Sequence, residues 1–99
     1  MSLVIENSQW VYVVVQDPGG SPQLLGQQDP KTGASFIPAF LKKEAAQACL
    51  PLMAKDGAKT YEIEAMRFDA VREEANPNGF AVTLLEADGT PIEKVPAGD

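Results

Sequence analysis

Gln9-Trp10-Val11-Tyr12-Val13-Val14-Val15-Gln16 is the stretch that decides how this chain folds. It is rich in β-branched and aromatic residues, and Asp17-Pro18-Gly19-Gly20-Ser21 closes it with turn chemistry. Its apolar residues occupy both odd and even positions. Successive side chains of a strand point to opposite faces, so this pattern predicts a central strand covered on both sides.

On the C-terminal side, residues 23–28 read as a weaker strand. Asp29-Pro30-Lys31-Thr32-Gly33 reads as a second turn, because proline presets φ and glycine supplies a positive one. Residues 35–41 are extended again, which suggests a three-stranded meander. Pro38 cannot donate a ladder hydrogen bond, so this third strand is expected to be an edge, to bulge or to stop there.

The period then changes. Between residues 42 and 55, Ala45, Cys49, Leu52 and Met53 recur at helical spacing, as do Ala46, Leu50 and Met53. Pro51 conflicts with one continuous helix, so the helix kinks there or restarts with Pro51 in its first turn. Gly57 closes the segment. In residues 60–66, Tyr61, Ile63 and Ala65 alternate with Glu62 and Glu64, the pattern of a half-buried strand. Phe68, Val71, Arg72 and Ala75 predict a short helix over 67–75, ended by Asn76-Pro77-Asn78-Gly79. Residues 80–86 and 90–95 form a hairpin around Asp88-Gly89.

The order is βββαβαββ. A mostly antiparallel or mixed sheet of five to six strands with two helices on one face buries such an order in two layers, an α+β fold. Residues 1–99 are expected to form one domain, with loose ends at about 1–7 and 96–99.

Composition narrows the function. The longest uninterrupted apolar run, Val11 to Val15, is far too short to span a bilayer, so no membrane is expected. Met1-Ser2-Leu3-Val4-Ile5-Glu6 shows no secretory pattern, and a single cysteine suits a cytoplasmic protein. The net charge of −6 gathers in the second half: residues 51–99 carry ten acids against five bases. That field repels phosphate backbones, and nucleic acid is not expected as a partner. Lys42, Lys43, Lys55 and Lys59 form a local basic group, read first as solvated helix ends and second as a surface for an acidic partner.

Catalytic chemistry finds little to use. The chain has no histidine, the side chain that titrates near neutrality. Cys49 falls on the apolar stripe of the first helix, where a thiol behaves as a small hydrophobe. Glu62 and Glu64 share one strand face and could meet a cation or a small molecule, but alternation already explains them as a wet face. Pro18-Gly19-Gly20-Ser21 lacks the remaining elements of a phosphate loop, and Lys31-Thr32-Gly33 is accounted for by its turn. No cofactor is implied. Most of Trp10, Tyr12, Phe36, Phe40, Phe68 and Phe80 should be core. In Phe36-Ile37-Pro38-Ala39-Phe40 the proline interrupts pairing, leaving part of the stretch at a sheet edge where a partner strand or a second copy could dock.

The hydrophobic first strand, Phe36-Ile37-Pro38-Ala39-Phe40 leading into Lys43-Glu44-Ala45-Ala46, the strand at 61–65, and Asn76-Pro77-Asn78-Gly79-Phe80 together resemble the SseB-type N-terminal domain over roughly residues 8–95. Here Asn76-Pro77 precedes the last strands, whereas members of that family place such a pair after a strand. The resemblance implies an α+β fold of uncharacterised or adaptor-like role, with no established catalytic constellation.

These observations point to a non-enzymatic interaction or accessory domain, binding a protein partner or a second copy through Phe36, Pro38, Phe40, Lys42 and Lys43. The alternatives are a small-molecule or metal-binding regulatory domain working through Glu62 and Glu64, and a small enzyme using a perturbed carboxylate or Cys49.

Overall fold

The computed structural model describes residues 6, 8–17, 19–20, 22–53 and 60–95. Pro18 and Ser21 of the first turn, Lys55, Gly57 and Lys59, and most of the two ends lie outside the described residues. The fold is α+β, and the described residues form seven strands in two sheets and two α-helices.

β1 (Trp10–Gln16) is the axis of the molecule. It pairs antiparallel with β2 (Gln23–Leu24) on one side and, along its whole length, with β5 (Tyr61–Arg67) on the other. Its two faces feed two different cores. Val11, Val13 and Val15 pack with Phe68, Val71 and Ala75 of α2 (Phe68–Ala75) and with Ile37, Val82 and Leu84 of the second sheet. Val14 faces the other way, joining Ala46 and Cys49 of α1 (Lys43–Cys49) together with Leu25, Phe40 and Leu85. The helices therefore lie against opposite faces of β1, which corrects the expectation of both on one face. A strand apolar in both registers needs cover on both sides, and with two helices available each side takes one.

The second sheet has the order β3-β4-β6-β7, formed by β3 (Gln27–Gln28), β4 (Ser35–Ala39), β6 (Ala81–Leu85) and β7 (Pro91–Val95). β4 and β6 are parallel, and β6 and β7 form the expected hairpin. All five residues of β6 are buried, as a strand between two neighbours requires. In the hairpin turn, Gly89 at φ 88° supplies the left-handed residue, and the Thr90 N–H donates to Asp88 Oδ1 at 3.0 Å.

The meander and the single sheet are corrected at residues 23–28. This stretch bonds to β1 as far as Leu25, whose N–H donates to the Val14 carbonyl, and then passes through Gly26 to bond with β4. One extended segment thus serves two sheets as two strands of two residues each. The sheets meet again at an antiparallel bridge between Tyr12 and Phe40, which exchange N–H···O bonds of 2.8 and 2.9 Å.

That bridge explains Pro38. Strand backbone groups alternate in direction, so the Pro38 nitrogen faces the side that Phe40 turns toward Tyr12, away from β6. On that side β3 pairs only with Ser35 and Phe36, and β1 arrives only at Phe40. Pro38 occupies the gap between them, so β4 continues through a proline inside the sheet. Pro51 follows its second expected course: α1 stops at Cys49 and a 3-10 turn, Leu50–Leu52, takes the proline in its first positions. α2 starts where the Phe68 N–H donates to the Gln9 carbonyl at 2.8 Å, and it carries Asp69 in its first turn. It ends through a 3-10 turn, Asn76–Asn78, and a left-handed Gly79 at φ 74°.

Candidate functional site

The structure separates the expected interaction surface into buried and exposed parts. Phe40 is 0% exposed and Pro38 is fully buried, so neither can meet a partner. Phe36 is half-buried against the second core, while Lys42 and Lys43 are exposed at the start of α1. The proline had suggested an unpaired edge, but the bridge to β1 closes that edge. Phe36, Pro38 and Phe40 are structural, and no contiguous surface of these five residues exists.

Glu62 and Glu64 are exposed on β5, paired in register with Val15 and Val13 of β1. Among the described residues, no three acidic or thiol side chains come together in a way that could hold a metal ion.

Cys49 is 3% exposed and has no disulfide partner. It lies under the hairpin turn, its Sγ 3.8 Å from where a side chain on Gly89 would begin. Burial pushes its thiol pKa up, and the nearby Asp88 carboxylate pushes in the same direction. Asp88 itself is held below the usual carboxylate range by its hydrogen bonds to Thr90. A thiol whose folded pKa is raised contributes stability that is present below its unfolded value, about 8.5, and lost as the pH climbs past it. Labelling of native Cys49 at pH 7.5 is therefore expected to run on the order of a thousandfold slower than in denaturant, an opening free energy of about 4 kcal/mol. Stopped-flow labelling with a disulfide reagent measures this. Equal rates in the two states would make the thiol an accessible nucleophile.

A concave feature of the described surface lies elsewhere. A cleft of about 680 Å³ opens where residues 23–28 cross from one sheet to the other. Leu24, Leu25, Ile37 and Phe80 supply its apolar lining, and Gln16, Gln23, Gln27 and Gln28 bring amides to it. Glu74 of α2 and Asn78 of the following turn complete the opposite wall. Three of these amides are anchored. Gln27 Nε2 donates to the Gly26 carbonyl at 2.7 Å, and Gln28 Nε2 donates to the Gly33 carbonyl at 3.0 Å. Asn78 Nδ2 reaches the Glu74 carbonyl at 3.4 Å.

Gly26 shapes this cleft. Its φ is not positive, so its backbone does not require glycine. Space favours it: a Cβ there would sit 3.0 Å from Cε2 of Phe80, so the ring would have to give way by a few tenths of an ångström. The bare backbone lets the Phe80 ring lie against the corner between the two sheets.

Of the residues weighed from sequence for recognition, Ile37 and Phe80 line this cleft, whereas Phe36, Pro38, Phe40, Lys42, Lys43, Glu62, Glu64 and Cys49 do not. Four glutamines within residues 16–28 and a glycine inside a strand-like run were the available signals. Glutamine carries neither charge nor hydropathy enough to mark a site, and Glu74, Asn78 and Phe80 join it only through the fold.

No family model, no curated protein and no solved structure matches this chain. The likeness to the SseB-type domain rests on the sequence pattern alone. Among the described residues no helix is long and apolar enough to cross a membrane.

Proposed function

We propose that this protein is a small non-enzymatic interaction domain, and that the cleft at the crossing of the two sheets captures an extended segment of a partner protein. The observation that carries the reading is the cleft's lining. An amide both donates and accepts, which suits the alternating N–H and C=O groups of an extended chain, and an apolar floor takes side chains from one face of it. β2 and β3, the strands bordering the cleft, are each the last strand of their sheet. The volume lies within the range of about 300–1,000 Å³ usual for ligand sites. Glu74 is the one ionisable side chain among the described lining residues, a set of groups suited to binding rather than to proton transfer.

Self-association through Pro38 and Phe40 loses its basis with their burial, and the reading takes a segment of a different protein as the occupant. A buried, unbridged cysteine suits a cytoplasmic setting, and the net charge of −6 argues against nucleic acid.

Selection of random peptides against the immobilised protein tests the proposal, with Gln23→Trp as the control. Gln23 is exposed on β2, and a tryptophan there fills the cleft without entering either core. Peptides that bind the native protein and lose at least about tenfold in affinity to Gln23→Trp support the reading, a difference of about 1.4 kcal/mol. A selection that yields no binders, or binders indifferent to Gln23→Trp, overturns it.

A further inference from the structure

Resting on the reading of the cleft as a peptide site, we infer that its occupant presents a lysine or arginine side chain to Glu74. Glu74 stands in the last turn of α2, which spans Phe68–Ala75. The aligned peptide dipoles of a helix leave partial negative charge at its C-terminus, so a carboxylate there is disfavoured and a cation is favoured. Glu74 is exposed, and among the described residues it has no ion-pair partner; the pair the structure shows, Arg67 with Asp69 at 3.0 Å, is at the other end of the helix.

The rest of the wall suits the same ligand. One N–H of the Gln28 amide is already donating to a backbone carbonyl, and its Oε1 is an acceptor that a cation can use. An ammonium or guanidinium group consists of donors alone and requires acceptors. Phe80 lines the same cleft and offers an aromatic ring to the cation or to its aliphatic stem. At longer range the net charge of −6 draws a basic segment in.

The test uses the peptides selected above. The expected result is a recurrent lysine or arginine. Replacing it with norleucine, which keeps the stem and removes the charge, should weaken binding to the native protein at least tenfold. Glu74→Gln should weaken the basic peptide by the same factor, leave the norleucine peptide unchanged and show a melting midpoint no lower than the native one. Binding of the basic peptide should also fall as salt is raised. Selected peptides without a recurrent basic residue, or a norleucine effect that is just as large in Glu74→Gln, overturn this inference while leaving the cleft a peptide site. Binding indifferent to Gln23→Trp overturns the peptide site itself, and the inference with it.

Discussion

Phe40→Asp is expected to abolish the folded state. The ring is 0% exposed and packs among Val14, Leu25, Ala46, Cys49, Met53 and Leu85. Removing such a ring to the β-carbon costs about 3–5 kcal/mol, through lost transfer energy and the cavity left behind. A carboxylate in its place adds the cost of an unpaired buried charge, or of holding the acid protonated at neutral pH. Domains of this size are stable by only about 5–15 kcal/mol, so the two terms together consume most or all of that margin. The position also magnifies the loss, because the Phe40 backbone makes the bridge to Tyr12 that joins the two sheets. The amide proton spectrum should collapse to the dispersion of an unfolded chain, with no cooperative thermal transition. Phe40→Leu provides the comparison. It should remain folded and lose about 1–2 kcal/mol, or roughly 5–15 °C in melting temperature. A well-dispersed spectrum for Phe40→Asp with a native midpoint would place Phe40 at the surface and restore residues 35–41 as a docking edge.

The misreading of Phe40 shows what periodicity can and cannot supply. Apolar residues at both registers of β1 correctly demanded cover on both faces. They could not say which helix covers which face, because the pattern records that a side chain is buried and not what buries it. Pro51 was legible because a missing N–H and a fixed φ act locally. Pro38 obeys an equally local rule, but its outcome depends on where two other strands end. The crossing at Gly26 was less visible still: strands of two residues have no period to detect, and their pairing is set by β1 and β4 rather than by their own composition. The cleft inherits that obscurity, since its two walls come from segments some fifty residues apart.

The hairpin at Asp88-Gly89 and the end of α2 at Gly79 were readable for the opposite reason. Both positions have φ near +80°, at 88° and 74°, and glycine is the residue that adopts such a value without strain. Where one residue's conformational freedom decides the structure, sequence reports it directly. Where the decision rests on which distant surface arrives, it does not.

The contrast between Phe68 and Trp10 tests this view of the core. Both are large aromatics expected to be buried, yet Phe68 is 2% exposed and Trp10 is 59% exposed. Length accounts for the difference. β1 has seven residues and α1 also has seven, but a strand rises about 3.3 Å per residue and a helix about 1.5 Å. α1 can therefore cover about half of the strand face it packs on. It takes the half holding Val14 and Ile63, and leaves exposed the end where Trp10 pairs with Arg67 and Ala65 follows. Phe68, by contrast, opens α2 directly over Val11 and Val13, with its N–H tied to Gln9. Phe68→Ala is expected to cost about 3–5 kcal/mol and to lower the melting temperature by at least about 15 °C. Trp10→Ala should stay within about 1 kcal/mol of the native protein despite deleting the larger side chain. Because Trp10 is the chain's single tryptophan, fluorescence reads the same geometry in the native protein. Its emission should already be close to that of a solvated indole and should shift little on unfolding. If Trp10→Ala proved as damaging as Phe68→Ala, or if unfolding shifted the emission strongly to the red, the end of β1 that α1 leaves uncovered would have to be core.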